Sequence, residues 1–176
     1  YETKKLYPFY SLEDIKFRLI RDNYISHSVY NKIMISMFRL KKFKYKKFNK
    51  LMFMSKANVK KLYKEGHMIG LHSHTHPVNM GSKTLKSQYL EFKKNKDVLR
   101  KILNDNIISA SYPLGKYNRN TINFFKKLNI SISFRDSMNV DRIVGSRVVN
   151  CTNLQIARED SANILSLKSL INEAFK

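Results

Sequence analysis

Apolar positions recur at helical spacing through most of the chain, and at several points they contract into short unbroken runs bounded by polar turns. Ser11 stands as an N-cap before Leu12-Glu13-Asp14, and Ile15, Leu19 and Ile20 give that helix a face to about Arg21. Val29, Ile33, Met37 and Phe38 mark a second helix over residues 27–39. From Leu40 to Lys50, lysines alternate with Phe43, Tyr45 and Phe48, the pattern of an amphipathic segment covering a core edge. Stacking on nucleic-acid bases is the other use of such interleaving. Ser55 caps a helix striped by Val59, Leu62 and Tyr63, with Gly66 at its C′ position. The longest predicted helix covers residues 84–104, its face marked by Leu85, Tyr89, Phe92, Leu99 and Leu103. Asn118 caps another, carrying Ile122, Phe125 and Leu128.

The apolar runs at 68–71, 107–112 and 130–134 read as strands. A short strand is expected at 147–149 inside an irregular stretch, a last one at 154–157, and a terminal helix from Ser161. Helices alternating with strands through short connections predict an α/β fold with a largely parallel sheet. No repeat, low-complexity tract or linker interrupts the chain. A single domain over residues 1–176 is therefore expected, with 1–50 as a helical, insert-like region and 51–176 as the core.

The apolar run at 68–71 leads directly into His72-Ser73-His74-Thr75-His76-Pro77, and four of the five histidines fall between Gly66 and Pro77. Imidazoles gathered where a strand leaves the core are metal-ligand chemistry. In an extended segment His72, His74 and His76 share one face; in a helical loop His72 and His76 converge at i, i+4. Both geometries supply at least two ligands, and neutral imidazole completed by oxygen donors suits zinc or a similar divalent ion. A surface loop that happens to be rich in histidine is the plain alternative.

Composition changes this picture only in part. With 34 Lys+Arg against 13 Asp+Glu the formal charge is +21, which points toward anionic partners. An anionic membrane surface is one candidate. The lysines are scattered, however, and no zinc-finger spacing, arginine-rich run or RNP-type motif is present, so specific nucleic-acid binding is not expected. Cys151 is the only cysteine, which excludes an intrachain disulfide. No apolar run reaches the roughly 18 residues of a membrane span. The first residue is Tyr1 rather than Met, so targeting stays open; cytoplasmic or membrane-peripheral placement is compatible.

Two segments taken together, His72 to Pro77 and Ser111-Tyr112-Pro113-Leu114-Gly115-Lys116-Tyr117-Asn118, resemble the polysaccharide deacetylase (NodB-homology, carbohydrate esterase family 4) proteins. The resemblance covers roughly residues 55–135 and implies a distorted (β/α) barrel, incomplete here at its N-terminus. It implies a divalent metal, with zinc the expected ion, held by His72 and His76, with Ser73 supporting the loop and His74 as a supporting or exposed neighbour. Tyr112, Pro113, Leu114, Gly115 and Tyr117 match the loop that walls the substrate groove, and the Leu114 amide matches an oxyanion donor. The implied activity removes N-acetyl groups from the amino sugars of a glycan.

Three departures accompany the resemblance. The family's Asp-Asp motif, which provides the catalytic base and the third metal ligand, has no counterpart, because the chain contains no Asp-Asp pair. It is expected upstream of these residues. Ser111 stands where an arginine commonly opens the second loop, and no histidine follows His76 to act as the general acid. Arg158, Glu159 and Asp160 are candidates to replace part of that function, although a helix-start cluster explains the charges equally well. A catalytically inactive homologue that binds glycan or metal is the alternative reading; a basic nucleic-acid-binding protein ranks third.

Overall fold

The computed structural model describes residues 10–159 and Ile164, and the chain divides into two compact units, Tyr1–Ser55 and Lys56–Lys176. The terminal helix expected from Ser161, and the candidate Asp160, lie outside the described residues.

The first unit contains α1 (Leu12–Asn23), α2 (His27–Leu40) and α3 (Tyr45–Met52). Helix α1 starts where its capping residues dictate: Ser11 Oγ accepts the Asp14 amide at 3.0 Å, and the Asp14 carboxylate accepts back from the Ser11 amide at 3.3 Å. Ser26 caps α2 in the same way, accepting from the Val29 amide at 3.3 Å. The aromatic residues of the lysine-rich segment stack on one another and on α2, with ring centroids 4.8 Å apart for Phe43–Phe48 and 5.8 Å for Phe38–Tyr45. No acidic residue occurs between Asp22 and Glu65.

The second unit holds the core. Helix α4 (Lys56–Lys64) ends in a Schellman motif, with the His67 amide bonded to Leu62 O at 3.0 Å and the Gly66 amide to Tyr63 O at 3.1 Å. Gly66 takes φ +91°, a conformation that a side chain would oppose, which is why glycine ends this helix. Helix α5 (Leu85–Leu103) starts at the Thr84 cap and stops at left-handed Asn104. Strand β1 (Ser109–Ser111), helix α6 (Arg119–Lys127) and strand β2 (Ile132–Phe134) follow.

The two strands pair in parallel, with Ala110 opposite Ser133. Single parallel bridges extend the layer at both edges, Leu71 to Ala110 and Ile156 to Phe134. Spatial order therefore follows chain order, with α5 and α6 as the crossovers that parallel neighbours require. The expected strands at 68–71 and 154–157 each contract to one bridge. The expected strand at 147–149 does not form: Val149 O accepts from Arg135 Nη2 at 2.7 Å, and the Ser146 hydroxyl bonds both the amide and the carbonyl of Val148. Side chains take the backbone groups that a ladder would have used.

Between this layer and its helices sits an aromatic stack. Tyr112 lies parallel to Tyr117 at 4.0 Å and to Phe125 at 5.1 Å, while Phe92 meets Phe125 edge-on at 4.7 Å. Burial of each such ring stabilises the fold by about 1.5–3 kcal/mol. On α5 the buried line is Gln88, Phe92 and Lys96, with Leu85 exposed rather than on the core face. Lys96 is tolerated there because its ammonium donates to Leu128 O at the end of α6, where helix carbonyls gather negative potential.

Candidate functional site

The histidine segment leaves the sheet at Leu71, whose amide bonds Ser109 O at 2.9 Å and whose carbonyl accepts from the Ser111 amide at 2.8 Å. Beyond Leu71 the chain turns instead of continuing extended. Ser73 and His76 both take left-handed backbone, φ +65° and φ +52°, and the His76 amide closes the turn on Ser73 Oγ at 3.0 Å. The turn brings the His72 and His76 rings to 4.9 Å between centroids, tilted by 57°. Ser73 is buried as the turn's support, while His74 is exposed. Of the two geometries open from sequence, the i, i+4 pairing is the one adopted.

Ser111 acquires a role the sequence did not disclose. His72 Nδ1 lies 3.0 Å from Ser111 O and 2.8 Å from its hydroxyl. A carbonyl only accepts, so Nδ1 carries the proton and Nε2 keeps its lone pair. Burial pushes the His72 imidazole below its ordinary pKa, and the nearby His76 and Arg158 push the same way against the Ser111 carbonyl. A neutral imidazole is the form that ligates. Arg158 thus lies within electrostatic reach of His72, while Glu159 accepts the Met138 amide at 3.2 Å.

The second motif forms a tight turn at Pro113–Gly115 that follows directly from β1. The Gly115 amide bonds Tyr112 O at 3.1 Å and the Lys116 amide bonds Pro113 O at 3.0 Å. Leu114 takes φ +51° and ψ +30° and stands exposed at the tip. Left-handed backbone at a non-glycine residue costs about 1–2 kcal/mol. Three of the six such residues among those described, Ser73, His76 and Leu114, fall in the two motifs, and that is where strain tends to be retained for function. Gly115 is also left-handed, and a Cβ there would overlap the Asp136 carboxylate, which would have to move, so the position favours glycine. Pro113, Tyr112 and Tyr117 are buried. The Tyr112 hydroxyl donates to Leu154 O at 2.6 Å, and that of Tyr117 donates to Asp141 at 2.5 Å. Their rings are committed to packing, while Leu114 and Lys116 are exposed and Gly115 is half-buried.

The donor set fits two of the three protein ligands that catalytic zinc sites use. Among the described residues no group of three or more His, Cys, Asp or Glu side chains converges on one ion position.

These features define an α/β scaffold with two imidazoles paired at the carboxyl edge of its parallel layer. The family model for polysaccharide deacetylase matches residues 27–133, well over half of the sequence. The chain belongs to the polysaccharide deacetylase family. Solved structures share the fold. The Streptococcus pyogenes deacetylase PplD in complex with acetate is 24% identical with a TM-score of 0.53, over 64% of this chain and 50% of its own. The BpsB deacetylase domain from Bordetella bronchiseptica is 18% identical with a TM-score of 0.51, over 61% and 48%. IcaB from Ammonifex degensii is 16% identical with a TM-score of 0.53, over 66% and 52%. The chain spans about half the length of each. The fold is thus the NodB-type α/β architecture that the resemblance implied. The curated protein sequences gave no match.

Proposed function

We propose that this chain carries the metal-binding and oxyanion part of a carbohydrate N-deacetylase acting on N-acetylated amino sugars of a glycan. The observation that carries this reading is the His72–His76 pair, with rings 4.9 Å apart and His72 Nδ1 tied to Ser111, in a member of this family. His72 and His76 would hold the ion through imidazole nitrogen. A divalent metal such as zinc, when bound, supplies Lewis acidity for the amide carbonyl and lowers the pKa of water.

The chain's own residues prepare that chemistry. Ser111 selects the His72 tautomer, the Leu114 amide of the Pro113–Gly115 turn would serve as an oxyanion donor, and the Arg158 guanidinium adds positive potential near His72. A positioned base contributes about 10²–10⁴-fold in such reactions. The family places that base, with the third ligand, in the Asp-Asp motif that residues 1–176 lack.

The test is acetate release from N-acetylglucosamine oligomers with added zinc or cobalt. Residues 1–176 alone are expected to give little turnover. A longer product bearing an Asp-Asp motif ahead of them is expected to be active and to lose that activity in His72→Ala. Robust turnover by the 176 residues, abolished by Glu159→Ala or Asp160→Ala, would show instead that the acids near the C-terminus serve as the base. An inactive homologue that binds glycan without turnover is the second reading, favoured by the two-ligand donor set among the described residues. It predicts binding and no acetate from the longer product.

A further inference from the structure

Helix α5 faces the histidine turn with two polar side chains one helical turn apart. The Glu91 carboxylate accepts three hydrogen bonds from that turn: the His74 amide at 3.0 Å and the Thr75 amide at 2.8 Å on Oε2, and the Thr75 hydroxyl at 2.7 Å on Oε1. Asn95 Oδ1 accepts the His72 amide at 3.0 Å. Their i, i+4 spacing on α5 matches the advance of the turn from residue 72 to residues 74 and 75. Gln88, one turn earlier on the same helix, is buried and bonds Lys83 O at 2.9 Å, so the face is braced at its N-terminal end as well.

Both side chains bond the turn itself, through its backbone amides and the Thr75 hydroxyl. What they hold is the backbone of the segment between the two imidazoles, the segment whose left-handed residues Ser73 and His76 create the convergence. Charge-assisted bonds to a carboxylate are stronger than neutral ones, and three of them meet on one side chain here. Ser73 Oγ closes the turn from inside; Glu91 and Asn95 close it from outside.

We propose that Glu91 and Asn95 are positioning residues, which act through the turn backbone to keep His72 and His76 in the arrangement that captures the ion. The proposal rests on the metal reading of the histidine pair, and it adds to that reading two residues on a different element. Groups that orient metal ligands typically change affinity by about 10–100-fold when removed.

The experiment compares the 176-residue chain with Glu91→Ala, Asn95→Ala, Asn95→Asp, His72→Ala and Leu90→Ala, an exposed neighbour on the same helix. Zinc affinity is measured by titration, amide hydrogen exchange at residues 72–76 is read in the absence of metal, and thermal unfolding checks that each protein is folded. Glu91→Ala is expected to lose at least tenfold in zinc affinity and to speed exchange at His74 and Thr75. Asn95→Ala is expected to speed exchange at His72, with Asn95→Asp retaining both properties because it keeps an acceptor oxygen, and Leu90→Ala is expected to behave as wild type. Wild-type zinc affinity and wild-type exchange in Glu91→Ala would overturn the proposal. Unchanged zinc affinity in His72→Ala would overturn the metal reading instead. Exchange in Glu91→Ala then decides the positioning role, protected amides refuting it and deprotected ones supporting it.

Discussion

Replacing Ser73 isolates the contribution of the turn that joins the two imidazoles. Ser73 is buried, its hydroxyl accepts the His76 amide at 3.0 Å, and its backbone is left-handed at φ +65°. Ser73→Ala removes the acceptor but leaves the backbone strained. The bond is only partly buried, so the loss falls toward the lower end of the range for an orphaned donor, about 1–2 kcal/mol. Ser73→Gly removes the same acceptor but relieves left-handed strain of about 1–2 kcal/mol, partly offset by the greater flexibility of glycine in the unfolded chain. The glycine variant should therefore be the more stable of the two by about 1 kcal/mol, although it has lost just as many hydrogen bonds. Urea denaturation of the three proteins measures this directly. An alanine variant as stable as the glycine variant would refute the claim that the turn stores strain at Ser73.

Other expectations follow from the same geometry. Partial burial alone would raise the Glu91 carboxyl, but bonds from Thr75 and His74, with Lys83 nearby, hold it below its ordinary value. Its contribution to stability is thus present above the unfolded carboxylate range, near about 4.3, and fades as pH falls through the lower folded value. Denaturation profiles of wild type and Glu91→Gln between neutral and acid pH should converge at the acid end, and parallel profiles would count against it. Lys96→Met keeps the buried stem but loses the bond to Leu128 O, and should cost about 1–2 kcal/mol by thermal unfolding. Phe125→Ala, at the centre of the aromatic stack, should cost about 3–5 kcal/mol by the same measurement. The acid-free stretch between Asp22 and Glu65 should bind anionic vesicles and random oligonucleotides alike and release both as salt rises. Tight, sequence-selective binding at physiological salt would contradict that.

Caps and stop signals made most helices legible: Ser11, Thr84 and Asn118 begin helices where the sequence places them, and Gly66 ends one. The histidine pair was legible because four imidazoles in twelve residues have few structural uses. The sheet was harder to read, since strands of three residues leave almost no period to detect, and its edges shrink to single bridges at Leu71 and Ile156. Leu85 was misplaced because helical spacing alone cannot say which turn of α5 meets the core, and Lys96 was missed because a lysine reads as solvated. Glu91, Asn95 and Ser111 could not be found from spacing, because each bonds a backbone group or ring brought to it only by tertiary folding. Departure from a family pattern was the one signal present for Ser111, and there it registered as a loss, not as the Nδ1 partner of His72.

The proposed metal pair is His72 and His76, not His74. Zinc titration of the 176-residue chain against His72→Ala, His76→Ala and His74→Ala tests it most directly. Weak but measurable binding is expected for the wild type, lost in both His72→Ala and His76→Ala and retained in His74→Ala. Equal zinc uptake by all four proteins, or a large loss confined to His74→Ala, would contradict it.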